Sequence, residues 1–356
     1  MRSNMNRRNF LANCLTTGAA IPAAIMPPTT QAESKQKVKL GIDLFSLRAE
    51  KWTPFEALDY CAARQVQVVH FSEIRFIGSL APDHLRQVRD HAAQLGLELE
   101  IGMRSICPTS TMFDPKEGTA EEQLNRMIDS ADIVGSHIVR AVLGSAEDRV
   151  KPGPIEARIA DTARVLKNVR LHAVDKNIKI AIENHAGDMQ ARELKMLVEE
   201  AGPDFVGVCL DSGNPLWTIE DPHLTLETLH PYVLTSHVRD SAVWRVPEGA
   251  AVTWVEMGRG NVDIEGYVKK YVALCPGKAL SLESIIFGPR VLPFKEPKFW
   301  DPYRKTPAWE FERFLEIADR GKPYPDEPWE KGDEAKRERD ALDASLSYTK
   351  KIFQTS

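Results

Sequence analysis

The sequence predicts an α/β protein of the (β/α)8 TIM-barrel class, a single domain that carries a C-terminal extension. Eight apolar, strand-like runs alternate with helical patterns along the chain, and each run is apolar almost throughout rather than at every second residue. Such continuous apolar character is typical of parallel strands that are buried on both faces. A doubly wound open sheet is the alternative, but no glycine-rich phosphate-binding turn follows the first run.

The strand-like runs are short and are separated by segments long enough for one helix each. Thr53-Pro54 is a typical N-cap and first turn, and Gly96 ends a helix whose apolar residues repeat with helical spacing. A third helix is predicted from Asp263 to Pro276-Gly277. The eight predicted strands span residues 38–48, 66–73, 97–106, 136–144, 178–185, 205–214, 233–240 and 279–285.

The predicted barrel occupies residues 38–287, and the chain changes character after it. Residues 288–356 begin with a stretch rich in proline and aromatic residues, which we expect to form an irregular excursion over the barrel mouth. Helical patterns follow at residues 308–320 and at about 335–354, and these are predicted to be closing helices.

Residues 1–32 read as a targeting segment rather than as part of the barrel. Arg7-Arg8 precede Asn9-Phe10-Leu11 and an alanine-rich apolar run, and small residues at 30–32 suit a cleavage site. This pattern resembles a twin-arginine export signal, whereas an ordinary signal peptide with two arginines is the simpler alternative. Either reading predicts a periplasmic or otherwise exported protein.

Composition limits the class of partner. Hydrophobic residues make up 43% of the chain and charged residues 27%, as in an ordinary soluble protein. The net charge of -5 and a pI near 6.0 argue against nucleic acid as a partner, which would favour a basic face. No apolar run reaches the roughly 18 residues of a spanning helix, so no membrane association is expected after signal removal. A homo-oligomer stays open.

Four cysteines follow the predicted signal, and none of them forms a CxxC pair. Cys61, Cys107, Cys209 and Cys275 are scattered through apolar contexts, which argues against a zinc knuckle and favours buried free thiols. An exported protein could also pair them, and the sequence leaves that question open.

Polar residues end the last four predicted strands. Glu183, Asp211, His237 and Glu283 stand where the strands meet the C-terminal face of the barrel, which is where barrel enzymes carry their chemistry. A carboxylate buried there needs a compensating charge. Three carboxylates and one imidazole suit a divalent cation such as Mn²⁺, Mg²⁺ or Co²⁺, although separate salt bridges or capping groups would explain each residue singly.

The ordered segments "IENH", "LDSGN", "SHVRD" and "LESI", together with "GRGNVD", resemble the sugar phosphate isomerase/epimerase family of xylose isomerase-like TIM barrels. The resemblance covers about residues 38–287. It implies one divalent metal ion, foremost Mn²⁺ with Co²⁺, Mg²⁺ or Zn²⁺ as alternatives, held by Glu183, Asp211, His237 and Glu283. The two glutamates would also transfer protons as catalytic residues.

The ligands imply a reaction class. A cation that grips a carbonyl and the adjacent hydroxyl of a sugar makes the α-hydrogen acidic, and a nearby carboxylate can then remove it to give an enediolate. Return of the proton epimerises or isomerises the sugar. The expected function is therefore isomerisation or epimerisation of a non-phosphorylated sugar or keto-sugar. Loss of a β-substituent would instead make the enzyme a lyase or hydratase acting on 3-keto-glycosides.

Further polar and aromatic residues are predicted around the barrel mouth, where a small carbohydrate substrate would bind. His185 matches a family histidine near the substrate oxygens, whereas Asn214 stands where many epimerases have a histidine. The predicted substrate-binding residues are His185, Asn214, Arg239, Arg259 and Trp244. Other residues expected at the mouth, as substrate contacts or as packing and ion pairs, are Asp43, Glu73, Arg104, Arg140, Phe45, Trp217 and Trp254.

Two other functions use the same kind of barrel. A metal-dependent endonuclease needs a cluster of metals with extra histidines, but Asn214 follows Asp211 and no histidine pair follows the seventh strand. A non-catalytic sugar-binding protein would not need two glutamates at the metal. Exchange of the substrate α-hydrogen with solvent deuterium separates a binder from an enzyme.

Overall fold

The computed structural model describes residues 37–325 and 332–355, and in this part of the chain the predicted (β/α)8 barrel is confirmed. Eight parallel strands close into the barrel, and three further strands form a separate antiparallel sheet. The predicted signal at residues 1–32 lies outside the described residues. The strands are β1 (Lys39–Asp43), β2 (Val68–Phe71), β3 (Glu98–Ser105), β4 (Ile138–Val142), β5 (Lys179–Glu183), β6 (Val206–Asp211), β7 (Val233–Val238), β8 (Asp240–Val246), β9 (Gly249–Val255), β10 (Ala279–Leu282) and β11 (Phe287–Leu292). The barrel closes in the order β1-β10-β7-β6-β5-β4-β3-β2, and the separate sheet has the order β11-β9-β8.

Helices begin and end at the residues that local chemistry favours. Thr53 caps the helix Pro54–Ala63 through a reciprocal pair of hydrogen bonds with Glu56, and Gly96 ends the helix Pro82–Leu95 in the left-handed conformation at φ 69°. The helices are α1 (Pro54–Ala63), α2 (Ile74–Ile77), α3 (Pro82–Leu95), α4 (Ala120–Val134), α5 (Ala146–Val150), α6 (Ile155–Asp175), α7 (Ala191–Ala201), α8 (Pro222–Leu229), α9 (Ile264–Leu274), α10 (Ala308–Arg320) and α11 (Glu334–Thr355). Short 3₁₀ helices span Leu44–Leu47, Pro115–Glu117, Asn214–Thr218, His230–Tyr232 and Pro297–Tyr303.

The main hydrophobic core lies between the barrel and its surrounding helices. On α3 the predicted apolar face is buried at Leu85, Val88 and Ala92 against this core. A second apolar cluster packs the small sheet against the C-terminal extension and includes Trp254 and Phe314. The first part of the extension is therefore joined to the small sheet by a core of its own, whereas its last helix, with Leu342, Leu346 and Ile352, packs into the main core.

The three-stranded sheet was not predicted. β8 and β9 form a hairpin between β7 and α9, and β11 pairs with β9 inside the stretch predicted to be irregular. The proline-rich composition of that stretch argued against a strand, but β11 is an edge strand, where proline is tolerated. The two closing helices of the extension, α10 and α11, lie where the helical patterns place them.

The predicted free thiols are observed in the described part of the chain. Cys61, Cys107, Cys209 and Cys275 are all buried and unpaired. Within residues 37–325 and 332–355, no helix has the length and apolar character needed to cross a bilayer.

Candidate active site

Four adjacent barrel strands bring one candidate ligand each to the C-terminal face. Glu183 and Asp211 are the last residues of β5 and β6, His237 lies near the end of β7, and Glu283 follows β10. The register places Asp211 beside His237. One donor atom from each of these four residues lies within 4.8 Å of the others, so that all four can face one ion.

The imidazole of His237 is oriented toward the carboxylates. Its Nδ1 lies 3.1 Å from Glu183 Oε2 and 3.7 Å from Glu283 Oε2, and it makes no well-formed hydrogen bond among the described residues. A buried ring nitrogen without a hydrogen bond, facing two carboxylates, fits a metal ligand. The three oxygen donors and one nitrogen donor therefore suit the divalent cation that the resemblance implies.

The other side of His237 is held by residues from β1, β2 and β3. Nε2 of His237 lies 3.0 Å from Nδ1 of His70 and 4.0 Å from Oδ1 of Asp43. The same Nδ1 of His70 also lies 3.5 Å from Glu100 Oε2, which accepts a hydrogen bond from Thr235 at 2.6 Å. The contact between His70 and His237 holds the ring of His237 with its own Nδ1 toward the carboxylates.

Two buried arginines offset the negative charge. Arg140 donates from Nε to Glu183 Oε2 at 2.6 Å, and Arg239 bridges Asp211 and Glu283 through one guanidinium nitrogen. Each of these arginines is 5% exposed or less, so the pairs are desolvated and the charges are strongly coupled. Arg239 thus bridges two of the candidate metal ligands.

The two glutamates differ in electrostatic environment. Burial raises the pKa of Glu183, but the Arg140 guanidinium and His237 outweigh it and hold the pKa well below its usual range. Burial raises the pKa of Glu283 to about 8, against the opposing influence of Arg239 and His237. One carboxyl group is therefore stabilised as the anion and the other as the neutral acid in this arrangement.

A cavity of about 380 Å³ opens above these residues. Of the predicted substrate-binding residues, His185, Asn214 and Arg239 line it, as does the catalytic candidate Glu283. His185 Nδ1 lies 2.6 Å from the Gly144 carbonyl, and Asn214 Nδ2 donates to Glu183 Oε1 at 3.3 Å. The lining also includes five residues predicted at the mouth: Phe45, Glu73, Arg104, Arg140 and Trp254.

Trp244 and Arg259, which the sequence predicts to bind substrate, are placed elsewhere and do not line this cavity in the described part of the chain. Trp244 is buried in a small apolar cluster on the hairpin, and Arg259 pairs with Glu256 at 3.0 Å. The alternation of side chains along β8 and β9 explains the difference for the tryptophans. The indole that reaches the cavity is Trp254 of β9.

The sequence did not predict His70, nor five residues that line the cavity: Arg48, Ser72, Met112, Val142 and Ile285. His70 had a recognisable signal, because it is an imidazole inside the otherwise apolar strand β2 and close to its C-terminal end. Met112 lies in an irregular segment after β3, where no periodicity indicates direction.

Comparison with known proteins identifies the family of the barrel. A family model described as "Xylose isomerase-like TIM barrel" matches residues 55–283. A curated relative, 3-oxo-isoapionate decarboxylase from Pectobacterium atrosepticum, is 26% identical over 210 residues, which are 58% of this chain and 69% of that protein. This chain is similar to that decarboxylase over the matched residues and differs from it in most of them.

Solved structures show the same fold. D-psicose 3-epimerase with D-tagatose from Clostridium cellulolyticum H10 superposes with a TM-score of 0.60 at 12% identity, covering 88% of this chain and 99% of that one. L-ribulose 3-epimerase gives a TM-score of 0.58 at 16% identity, covering 89% of this chain and 97% of that one. Since the family model spans more than half of the sequence, the chain belongs to the family of xylose isomerase-like TIM barrels.

Proposed function

We propose that the protein is a divalent-metal-dependent isomerase or epimerase that acts on a non-phosphorylated sugar or keto-sugar. The observation that carries this proposal is the convergence of three carboxylates and one imidazole within 4.8 Å at the C-terminal face of the barrel. Glu183, Asp211, His237 and Glu283 would hold the ion, with Mn²⁺ the best match to the donor set and Co²⁺, Mg²⁺ or Zn²⁺ as alternatives.

When bound, the cation supplies Lewis-acid polarisation of a substrate carbonyl. Glu183 and Glu283 then have the proton-transfer roles, one removing the α-hydrogen of the sugar and the other returning a proton to the enediolate. They come from strands β5 and β10, which are separated in the barrel by β6 and β7. This separation lets the two carboxyl groups approach the substrate from different sides.

His185 and Asn214 position the substrate in this proposal. Because the Gly144 carbonyl can only accept, His185 donates from Nδ1 at 2.6 Å, and its Nε2 is then able to accept from a sugar hydroxyl. Asn214 Nδ2 donates to Glu183 Oε1 and so orients one of the proposed bases. Arg239 and Arg140 carry positive charge beside the oxygens on which negative charge develops.

A lyase is the second candidate function. The same α-carbanion chemistry expels a β-substituent from a 3-keto-glycoside, and the 26% identity to 3-oxo-isoapionate decarboxylase points to a 3-oxo acid as another substrate class. Arg104 on the cavity wall favours this candidate, because it has no ion-pair partner among the described residues and could accept a substrate carboxylate.

The proposed location bears on the substrate. The twin-arginine pattern around Arg7-Arg8 supports an exported, periplasmic enzyme. Phosphorylated sugars are scarce outside the cytoplasm, so a free sugar, a keto-sugar or a glycoside is the expected substrate.

Proton exchange tests the proposal directly. Purified protein with Mn²⁺ is incubated in D₂O with a panel of ketoses and 3-keto-glycosides, and the α-hydrogen signal is followed by NMR. We expect metal-dependent loss of that signal with one substrate class, and epimer, isomer or elimination product in the same sample. Glu183→Gln should abolish exchange, whereas Glu265→Gln, on the exposed face of α9, should not. Binding without exchange across the panel would indicate a sugar-binding protein instead.

A further inference from the structure

A second and larger cavity lies beside the candidate active site. Its volume is about 760 Å³. Its walls come from α5 and the segment that leads into α6, the start of α7, the segment after β6, and the extension from β11 to just past the Pro297–Tyr303 helix. Arg149, Trp217, Arg290 and Tyr303 are among its lining residues. Much of this wall belongs to the C-terminal extension, which follows the barrel strands in the chain.

A stack of four side chains joins the two cavities. Trp217 and Trp254 are stacked with ring centroids 4.3 Å apart and an interplanar angle of 6°. Arg239 lies over Trp254 at 4.3 Å, and Arg290 lies over Trp217 at 4.7 Å. Because Trp254 occupies one face of Trp217, the Arg290 guanidinium covers the other. Arg239 and Trp254 line the active-site cavity, and Arg290 and Trp217 line the second cavity.

The charges on the second cavity wall are largely paired, with Arg290 an exception. Arg149 donates to Glu193 and to two backbone carbonyls, and Lys305 pairs with Glu156 at 2.5 Å. Arg290 is half-buried, and in residues 37–325 and 332–355 its side chain has the cation–π contact with Trp217 but no hydrogen bond or carboxylate partner. Burial lowers the pKa of Arg290, against the opposing influence of Tyr303.

We propose that the second cavity binds an acidic sugar unit and that Arg290 receives its carboxylate. A partly buried guanidinium without a carboxylate partner is stabilised by an anionic ligand, which compensates for the lost hydration of its charge. Its planar N–H groups can donate two parallel hydrogen bonds to a carboxylate. The volume of about 760 Å³ accommodates a monosaccharide with its carboxylate. The sugar part of this inference rests on the proposed function, whereas the anion part rests on Arg290 and its surroundings.

Titration of metal-depleted protein tests the inference without the metal site. D-glucuronate is added to the wild type while tryptophan fluorescence is followed, and the affinity is measured by calorimetry. D-glucose provides the neutral comparison and inorganic phosphate a different anion. We expect glucuronate to bind at least about tenfold more tightly than glucose, because only the acid can pair with Arg290.

Variants assign the site. Arg290→Gln should lower the affinity for glucuronate by at least about tenfold. Arg290→Lys should have an intermediate affinity, because lysine keeps the positive charge but lacks the two parallel N–H donors of the guanidinium. The matched control is Arg245→Gln, since Arg245 also lies over an aromatic ring, that of Phe294, but pairs with Asp319 at 3.2 Å. It should bind glucuronate like the wild type. Thermal unfolding of each variant verifies that it is folded.

Three results would overturn the inference. These are equal glucuronate affinity in the wild type and Arg290→Gln, no preference for glucuronate over glucose in the wild type, and tighter binding of phosphate than of glucuronate. The first would mean that Arg290 only packs against Trp217. None of these results depends on metal or turnover, so failure here leaves the proton-exchange test of the proposed function intact, and the reverse also holds.

Discussion

Nδ1 of His70 lies 3.0 Å from Nε2 of His237, so the two imidazoles are hydrogen-bonded inside the barrel. His70 is fully buried and comes from β2, across the barrel from β7. This contact turns the other ring nitrogen of His237 toward Glu183 and Glu283. His70 is therefore a positioning residue for the proposed ligand His237.

Replacement of His70 should weaken metal binding, although His70 is not one of the proposed ligands. We expect His70→Asn to reduce Mn²⁺ affinity by about 10- to 100-fold, as is usual when a partner behind a metal-binding histidine is lost. Calorimetric titration of the metal-free variant with Mn²⁺ measures this loss. His172→Asn is the control, because His172 pairs with Asp129 on the outer face of α6. Equal affinities in the two variants would remove His70 from this role.

The two proposed proton-transfer residues can be separated from metal binding. Glu183→Gln and Glu283→Gln each keep an oxygen ligand but lose the base, so turnover should fall by about 10²-fold or more while some metal stays bound. Steady-state kinetics together with metal analysis of the same samples measures both quantities. Activity within a few-fold of the wild type would place the base at another residue.

Glu220, which lies outside the candidate active site, should make the free energy of unfolding depend on pH. It is 2% exposed and accepts hydrogen bonds from the Ala191 backbone and the Thr225 hydroxyl. Burial raises its pKa from 4.5 to about 7, and these hydrogen bonds only partly oppose the shift. Between those pH values the folded state holds more protons than the unfolded state, so Glu220 makes folding less favourable as pH rises from 4.5 to 7.

Glu220→Gln mimics the protonated form at every pH. The difference in free energy of unfolding, variant minus wild type, should therefore increase by on the order of 3 kcal/mol between pH 4.5 and pH 8. Urea unfolding across this pH range measures the difference. Glu312→Gln, at an exposed position on α10, should show the same pH dependence of the free energy of unfolding as the wild type. Parallel profiles for Glu220→Gln as well would contradict the raised pKa.

The proposed signal makes a prediction about metal loading. An oxygen-rich site outside the cell would lose Mn²⁺ to Cu²⁺ or Zn²⁺, whereas a protein exported in the folded state can trap its metal in the cytoplasm first. Replacement of Arg7-Arg8 by Lys-Lys should block export and leave folded, metal-loaded protein inside the cell. Fractionation with metal analysis measures both. Normal periplasmic delivery of the variant with its usual metal would contradict the twin-arginine assignment.

The barrel and the convergence of the four candidate metal ligands could be predicted from the sequence, because both depend on local signals. Glu183 and Asp211 each end an apolar run, and barrel closure brings such ends together regardless of their distance along the chain. The contact of His70 with His237 depends on which positions of β2 and β7 face inward at the same height, and the sequence does not specify that register.

The Trp217–Trp254 stack could not be predicted from the sequence, for a different reason. It depends on the hairpin β8–β9, on β11 from the extension, and on their packing against the segment after β6. Each of these elements is short and pairs with a distant part of the chain, so tertiary contacts decide its conformation more than local propensity does. The same dependence separates Trp254, which lines the cavity, from Trp244, which does not.

The metal content of the purified protein tests the proposed metal site. Elemental analysis of protein purified without chelator should find about one divalent ion per chain, because Glu183, Asp211, His237 and Glu283 present one donor set. The double variant Glu183→Ala, Asp211→Ala should lose that ion. Full retention of the metal by the double variant would mean that these residues do not hold the ion.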